Sequence, residues 1–477
     1  MLSEMFTLDD VIQGTGGQLD GAPTPDLLRL TFHGAAIDSR KTLDEALFVA
    51  LKGERVDGHD YVLEAARHGA RSALVRHDWQ PPDALLTPVG APHAAPSPFP
   101  LVRVEDPLSA LQRFAGWWRA RHSVQVIGIT GSVGKTSAKE LTASVLSRRF
   151  DTLKNEGNLN NEVGLPLTLL NLTGIHQKAV LEMGAGYAFG ELTLLCELAR
   201  PEIAIELNVH PVHAERLGTL ENIALNKSEL VRALPASGTA LLNGDDPLVR
   251  EMRAVTPARV LHYGLSPEHD LYATSIESRG LQGVNFTLHF NPTGEQWQVK
   301  LPLLGRHSVY AALAAAGAAH AAGMTWDDII DALQTVEARA RLLVVPGRNG
   351  STLIDDTYNA SPASTLAALD LLHEMEGRHI AVLGDMRELG TYELEGHLQV
   401  GRKVPSVAEV LVLVGALGRL IGEEAIRSGM VPERVFFTAT NGQAIDYLRG
   451  LLHPGDYALI KGSRGLSMEE IVDGLKA

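Results

Sequence analysis

The residues best suited to chemistry lie at positions 130–137 and read Thr130, Gly131, Ser132, Val133, Gly134, Lys135, Thr136 and Ser137. Glycines allow backbone N–H groups to converge on a phosphate, a lysine reaches the β- and γ-phosphates, and a hydroxyl can bind Mg²⁺. The segment therefore predicts a site for a nucleoside triphosphate. It departs from the usual G-x-x-x-x-G-K-[ST] pattern at one position, because Ile129 stands where that pattern has a glycine.

The elements on either side of this segment are those that a phosphate loop requires. The apolar run from Val124 to Ile129 predicts a buried parallel strand. A helical pattern follows the loop and places Ala138, Leu141 and Val145 on one face. Strand, glycine turn and helix together argue against the alternative of a glycine-rich turn that holds no ligand.

Polar side chains also follow other predicted strands of the same region. They are Glu182 at the end of 179–183, the group Asn208, His210 and His213 after 203–207, and Asn243 after 239–242. Open parallel sheets bind ligands at the carboxyl ends of their strands, so we expect these side chains beside the phosphate loop.

The chemistry of two of these residues differs. A carboxylate on an apolar strand is costly unless it is paired or bound to a metal, so Glu182 is a candidate Mg²⁺ ligand, with a buried ion pair as the alternative. A histidine after a strand is more typical of a hydrogen-bonding residue, because Mg²⁺ prefers oxygen. His213 is therefore a weaker candidate from its chemistry alone.

Lys227 interrupts an apolar stripe formed by Ile223, Leu230 and Leu234 in a helix predicted over 219–234. Two interpretations stay open. The side chain extends to the surface along the apolar face, or it is buried and directed at the site, where burial lowers its pKa and makes the amine reactive.

Composition limits the classes of protein that fit. The formal charge is −15, which argues against a nucleic-acid partner. The single cysteine, Cys196, excludes an internal disulfide and a zinc site built from several cysteines. The first residues show no signal peptide, and the alanine-rich run 311–323 is too short to span a bilayer. We expect a cytoplasmic protein without membrane insertion.

The order of predicted strands and helices indicates an α/β protein of three domains. Residues 1–105 predict a small N-terminal α/β domain, and residues 106–339 a central P-loop ATPase-like domain built on a parallel sheet. A second alternation of strands and helices over 340–477 predicts a C-terminal Rossmann-like domain. Two sheets, each with polar residues at its carboxyl edge, suggest a two-substrate enzyme that closes around its ligands.

Several longer segments resemble the Mur ligases, which are ATP-dependent enzymes that form amide bonds in peptidoglycan precursors. Segments 130–136 and 243–246 resemble the family as a whole, whereas 157–162, 355–360, 383–390 and 461–469 resemble the members that add D-alanyl-D-alanine. The resemblance covers nearly the whole chain. It implies that ATP drives the joining of D-alanyl-D-alanine to UDP-N-acetylmuramoyl-tripeptide, with ATP and Mg²⁺ as cofactors and a monomer as the active form.

The resemblance also implies roles for individual residues. ATP is bound by 130–137 together with Asn243, Arg341 and Asp356, and Lys135 is catalytic. Mg²⁺ is held by Thr136 and, at a second position, by Glu182, His213 and Lys227, the last as a carbamate. Substrate is bound by Ser39, Arg40, Asn160, Asn161, Tyr358 and Asn359.

Some positions depart from the family pattern. Ser308 and Ala311 stand where asparagines are frequent, Ala340 replaces a glycine, and Ser361 replaces an asparagine. Other ligases of the same architecture are one alternative, namely the enzyme that adds the third amino acid or a folylpolyglutamate synthetase. The segments 383–386 and 461–464 argue against both. A non-catalytic nucleotide-binding subunit is a second alternative, and the joint presence of Lys135, Glu182 and Lys227 argues against it.

Overall fold

A computed structural model of the chain describes residues 6–40, 43, 45–86, 99–336 and 343–477. By their internal contacts the residues form two compact units. The first comprises 1–126, 150–184 and 193–201, and the second comprises 127–149, 185–192 and 202–477.

The elements are numbered in chain order. As far as Arg119 they are β1 (Phe6–Thr7), α1 (Leu8–Thr15), β2 (Gln18–Leu19), α2 (Pro25–Leu28), β3 (Thr31–Phe32), β4 (Ala35–Ala36), β5 (Leu47–Val49), α3 (Val62–Arg67), β6 (Ser72–Arg76), α4 (Asp83–Leu86), β7 (Leu101–Val104) and α5 (Pro107–Arg119). From Gln125 to Gln334 they are β8 (Gln125–Thr130), α6 (Lys135–Leu146), β9 (Thr152–Lys154), α7 (Gly164–Leu169), β10 (Lys178–Glu182), α8 (Glu191–Ala199), β11 (Ile203–Glu206), α9 (Ala214–Leu217), α10 (Leu220–Lys227), α11 (Glu229–Arg232), β12 (Thr239–Asn243), α12 (Pro247–Glu251), β13 (Arg259–Gly264), β14 (Leu271–Ser278), β15 (Val284–Phe290), β16 (Glu295–Leu301), α13 (Ser308–Ala321) and α14 (Trp326–Gln334). The remaining elements are β17 (Leu343–Pro346), β18 (Thr352–Asp355), α15 (Pro362–His373), β19 (Arg378–Gly384), α16 (Glu393–Lys403), β20 (Val410–Val414), α17 (Gly418–Arg427), β21 (Val435–Thr438), α18 (Asn441–Leu451), β22 (Asp456–Lys461) and α19 (Glu469–Leu475).

The first unit contains a five-stranded sheet in the order β2-β7-β6-β5-β4. The pairs from β7 to β4 are parallel, and β2 adds an antiparallel edge. Phe48, Leu74 and Val102 are buried in its core. In the same unit β10 pairs in parallel with β9, with Lys178 opposite Thr152.

In the second unit, neighbouring strands follow the order β16-β15-β14-β13-β12-β11-β8. β11 lies between β8 and β12 and is parallel to both. The register places Glu206 beside Thr130 on one side and Leu242 on the other. The carboxyl ends of these three strands therefore meet at one edge, as predicted for the phosphate loop and Asn243.

A second sheet in this unit has the order β17-β18-β22-β19-β20-β21, and only β17 is antiparallel among its described pairs. Helices cover both faces and form two apolar cores. The doubly wound sheet predicted for the C-terminal region is confirmed, and so is the α/β class.

One predicted helix differs from its expected extent. The helix predicted over 219–234 divides at Ser228 into α10 and α11. α13 is buried and packs against α6, and a side chain at Gly317 would come within 2.8 Å of Leu241. Its small residues thus permit close packing. In the part of the chain that the structure describes, no helix is long and apolar enough to cross a bilayer.

Candidate active site

The phosphate loop has the backbone conformation that its glycines allow. Gly131 has φ 145° and Gly134 has φ 87°, both in the region that favours glycine. A Cβ atom on Gly131 would lie 2.8 Å from Leu207 Cβ, so no larger residue fits there. Ile129 is a buried interior residue of β8. The glycine missing from the usual pattern is thus not needed for the turn, because Gly131 and Gly134 make it.

Two residues that follow β11 hold the loop in place. The Asn208 side chain accepts a hydrogen bond from Val133 N at 2.8 Å and donates one to Val133 O at 3.0 Å. Ser132 Oγ donates to His210 O at 3.0 Å and accepts from His210 N at 2.9 Å. The loop is therefore fixed by its own sheet before any ligand binds.

Lys135 begins α6, a helix of 12 residues, directly behind this turn. Its ammonium donates to Gly131 O at 2.8 Å and to Ser132 O at 3.3 Å. Thr136 and Ser137 follow in the first turn of the helix, where backbone N–H groups and the helix dipole favour an anion. These contacts place a cation, hydroxyl groups and N–H donors around one turn, which is the chemistry of phosphate binding.

Lys227 is buried, with 2% of its surface exposed, and this decides between the two interpretations left open above. It is the last residue of α10, and Nζ donates to Ala185 O at 2.9 Å. Burial and then the charge of Lys135 lower the pKa of Lys227 to about 7. A neutral, nucleophilic amine is thus present near neutral pH.

Glu206, at the end of β11, is a buried carboxyl group that the sequence analysis did not single out. It is fully buried, and neither carboxyl oxygen has a hydrogen-bond partner among the described residues. Burial raises the pKa of Glu206 well above its usual range, although Lys227 and Lys135 oppose that shift. An unpaired buried carboxyl group is energetically costly and marks a polar interior behind the loop.

His213 contacts Glu388, which lies in the loop after β19. The distance from His213 Nδ1 to Glu388 Oε2 is 2.6 Å. Burial and then the charge of Lys135 lower the pKa of His213, with Glu388 acting in the opposite direction. His213, Lys227 and Lys135 thus belong to one electrostatic group in the second unit.

The Asn243 side chain is engaged by backbone groups. Its Nδ2 donates to Leu207 O at 2.7 Å, and its Oδ1 accepts from Asp245 N at 3.1 Å. Asp245 in turn accepts hydrogen bonds from Leu265 N at 2.7 Å and Tyr310 OH at 3.0 Å. The residue therefore shapes the turn after β12, and direct contact with a nucleotide stays a prediction.

At the edge of the six-stranded sheet, Asp356 pairs with a lysine that the sequence analysis quoted only as part of a motif. Lys461 Nζ lies 2.5 Å from Asp356 Oδ2 and donates to Asn359 O at 2.9 Å. Tyr358 is exposed, and the guanidinium of Arg464 lies 5.6 Å from the centre of its ring. The structure thus brings Asp356 and Asn359 together around Lys461, and it places Tyr358 near Arg464.

In the first unit, Glu182 is buried at the end of β10. Its Oε1 accepts a hydrogen bond from Asn160 Nδ2 at 2.8 Å. Glu182 N donates to Asn155 Oδ1 at 2.9 Å, and Asn155 Nδ2 donates to Glu182 O at 3.0 Å. Asn161 Oδ1 instead accepts from Gly164 N at 2.9 Å and so holds the start of α7.

Two other residues predicted to bind substrate, Ser39 and Arg40, also lie in the first unit. Ser39 is buried and its hydroxyl donates to Glu64 Oε2 at 3.2 Å. Arg40 is exposed and makes two bonds with Asp38, at 2.8 and 3.0 Å. Arg341, predicted to contact ATP, lies outside the described residues.

Comparison with known proteins decides the family. Models of three family domains match the chain, namely the Mur ligase family catalytic domain at 31–116, the Mur ligase middle domain at 129–319 and the Mur ligase glutamate ligase domain at 340–464. The UDP-N-acetylmuramoyl-tripeptide--D-alanyl-D-alanine ligase of Escherichia coli is 36% identical over 98% of both chains. This chain is a Mur ligase.

Other relatives agree with that assignment. The ligase of the same name from Bacillus subtilis is 34% identical over 94% of both chains. The crystal structure of MurF from Acinetobacter baumannii has a TM-score of 0.84 and 31% identity, and covers 99% of both chains. MurF ligase from Thermotoga maritima, solved in complex with ADP, has a TM-score of 0.77 and 26% identity, over 93% of this Mur ligase and 96% of that chain.

The residues of this Mur ligase fit magnesium by their donor chemistry. Thr136 provides a hydroxyl at the phosphate loop, and Glu182 provides a carboxylate that accepts a hydrogen bond from Asn160. Both are the oxygen donors that Mg²⁺ prefers. Lys227 becomes an oxygen donor only as a carbamate, and its lowered pKa provides the amine that this reaction needs. No group of three His, Cys, Asp or Glu side chains with metal-binding geometry occurs within the described residues.

Several residues that build the site have a sequence signal that does not by itself reveal their role. Asn208 and His210 were noted only as polar residues after a strand, and Lys461 only within a motif. Glu206 is a charged residue inside an otherwise apolar strand, which is itself a sign of a polar interior. Glu388 had no local signal, because its partner is 175 positions away in the sequence.

Proposed function

We propose that this Mur ligase joins D-alanyl-D-alanine to UDP-N-acetylmuramoyl-tripeptide, with ATP converted to ADP and phosphate. The observation that carries the proposal is the 36% identity to the Escherichia coli enzyme of that name over 98% of both chains. The phosphate loop, the buried Lys227 and the polar edge around Lys461 are the structural features that support it.

Under this proposal the tripeptide carboxylate first attacks the γ-phosphate of ATP. The bond between the γ-phosphorus and the bridging oxygen breaks, and ADP leaves with that oxygen. Lys135 moves from its contacts with Gly131 O and Ser132 O to the phosphates, where its charge offsets the charge of the transferred group. The product is an acyl phosphate, which is a much better acyl donor than a carboxylate.

The amine of D-alanyl-D-alanine then attacks the acyl carbon. The amine nitrogen gives up one proton to solvent, the tetrahedral intermediate collapses, the amide forms, and phosphate leaves with one oxygen of the original carboxylate. Water must be excluded at this stage because hydrolysis of the acyl phosphate wastes ATP.

The proposal assigns magnesium to Thr136 on the nucleotide side and to Glu182, His213 and carbamylated Lys227 on the carboxylate side. When bound, Mg²⁺ offsets the negative charge of phosphate and carboxylate oxygens. Lys227 binds CO₂ through its neutral amine, forming one N–C bond and releasing one proton. Lys227 is the last residue of α10, and the charge of Lys135 lowers its pKa.

The proposal also assigns the contacts with the substrate and with ATP. We assign the uridine end of the substrate to Ser39 and Arg40, and further substrate contacts to Asn160, Asn161, Tyr358 and Asn359. Arg341 and Asp356 are assigned to ATP. The three domains at 1–105, 106–339 and 340–477, the monomeric state and the cytoplasmic location are parts of this proposal.

The experiment that tests it measures phosphate release with ATP and Mg²⁺ while each substrate is omitted in turn. The proposal predicts release only when both UDP-N-acetylmuramoyl-tripeptide and D-alanyl-D-alanine are present, with pentapeptide product by mass. Release without the dipeptide, or no release from folded protein that binds ATP, contradicts it.

A further inference from the structure

The loop after β19 packs against the turn that contains His213. Glu388 Oε2 lies 2.6 Å from His213 Nδ1, and Glu215 N donates to Glu388 O at 3.4 Å. Gly390 lies so close that an added Cβ atom would be 2.8 Å from Glu215 N. The contact between the two segments therefore involves both side-chain and backbone atoms of each segment.

Both residues of the carboxylate–histidine pair have unusual backbone conformations. His213 has φ 60° and Glu388 has φ 65°, in the left-handed region that non-glycine residues rarely adopt. Such conformations are strained for non-glycine residues and cluster at functional sites. Two strained residues that face one another are better explained by a required contact than by a loop without constraint.

Two further residues, Gly186 and Tyr187, lie beside the partly exposed His213 ring. A Cβ atom on Gly186 would lie 2.4 Å from His213 Cδ2, so only glycine allows the ring to take this position. Tyr187 stacks on the ring with 6.4 Å between centres. These neighbours restrict the ring, and the Glu388 carboxylate faces its Nδ1 atom.

We propose that Glu388 is a positioning residue that holds His213 as the Nδ1–H tautomer and so leaves the lone pair of Nε2 available to a ligand. A carboxylate accepts the N–H of one ring nitrogen, which makes the other the basic and metal-binding atom. Since Glu388 follows a strand of the six-stranded sheet and His213 follows β11, the contact also ties that loop to the phosphate-loop sheet. The link to magnesium rests on the function proposed above, whereas the tautomer does not.

The direct test is ¹⁵N NMR of histidine-labelled full-length protein without metal, with His213 assigned by the signal that His213→Gln removes. In wild type we expect a protonated Nδ1 and an unprotonated Nε2. Glu388→Ala should shift the population toward the Nε2–H form, and Glu388→Gln, whose carbonyl oxygen still accepts the bond, should restore the wild-type pattern. A Glu388→Ala spectrum identical to wild type overturns the proposal.

Glu215→Ala is the matched control, because it removes another exposed carboxylate only two residues from His213. It should leave the tautomer unchanged, and an equal shift in this variant would overturn the proposal in favour of a general charge effect.

Binding of Mn²⁺ to the enzyme–ADP complex, measured by electron paramagnetic resonance, provides the second readout. Loss of a residue that orients a metal ligand weakens metal affinity by roughly 10–100-fold. We expect that loss in Glu388→Ala and recovery in Glu388→Gln, and an unchanged Mn²⁺ affinity in Glu388→Ala overturns the metal part. Failure of the substrate-omission experiment would remove the proposed reaction and leave the NMR result standing.

Discussion

Replacing Asn208 by alanine should weaken ATP binding by an amount that the structure allows one to work out. The variant loses the two hydrogen bonds between the Asn208 side chain and Val133, at 2.8 and 3.0 Å. Each neutral hydrogen bond contributes about 1 kcal/mol net, so the loop loses about 2 kcal/mol of its preorganisation. Because 1.4 kcal/mol corresponds to a factor of ten, ATP affinity should fall roughly 30-fold.

The assay is calorimetric titration of ATP into wild type and Asn208→Ala, with unfolding in urea measured on the same samples. Gln112→Ala is a matched control, since Gln112 is also an amide side chain that donates to a backbone carbonyl, Glu162 O at 3.0 Å, and it lies in the first unit. It should bind ATP like wild type. An Asn208→Ala affinity within threefold of wild type would refute the view that this side chain holds the phosphate loop.

Three further predictions concern single charged groups. Lys135→Ala should abolish phosphate release while its urea midpoint stays that of wild type, and ligation near the wild-type rate would contradict the loop assignment. Lys461→Met should lower the unfolding free energy by about 3 kcal/mol, because it leaves the Asp356 carboxylate unpaired, and the double variant with Asp356→Asn should recover part of that loss; a neutral effect of Lys461→Met would count against the ion pair. Burial raises the pKa of Glu206 in the folded protein, so the unfolded chain loses this proton at a lower pH than the folded protein does. The free energy of unfolding therefore falls as the pH rises above the usual pKa of a glutamate. Glu206→Met should therefore raise the unfolding free energy by about 2 kcal/mol at pH 8 and by less at pH 5, and a variant less stable than wild type at pH 8 would contradict this.

The sequence predicted those parts of the fold in which local pattern and tertiary structure agree. The buried strand before the phosphate loop, the helix behind it and the parallel sheets were all visible as apolar runs with polar ends. The positions of Lys135, Thr136 and Asn243 at one sheet edge followed from the general rule for parallel sheets.

Two helices of the C-terminal region, α16 and α19, were not predicted, and glycine explains the first of them. α16 contains Gly396 and Gly401, which weaken the helical pattern. In the structure a Cβ atom on Gly401 would lie 2.6 Å from Ile421 O, so the glycine is there to allow close packing with α17. α19 is short and charged at its start, and only its packing in an apolar core makes it helical.

The site was predictable by residue type but not by pairing. Lys227 was recognised as anomalous, yet periodicity could not decide whether it was buried. The contacts Lys461–Asp356 and Glu388–His213 join segments that are 105 and 175 positions apart. Such pairs are set by the packing of whole sheets, which no local pattern encodes.

The measurement that tests the account most directly follows oxygen through the reaction. The tripeptide is supplied with ¹⁸O in both oxygens of its terminal carboxylate, together with ATP, Mg²⁺ and D-alanyl-D-alanine. The account predicts pentapeptide product and inorganic phosphate that carries one ¹⁸O atom per molecule, because the carboxylate attacks the γ-phosphate and one of its oxygens leaves with it. Phosphate without ¹⁸O would show that ATP is hydrolysed without acyl-phosphate formation and would contradict the account.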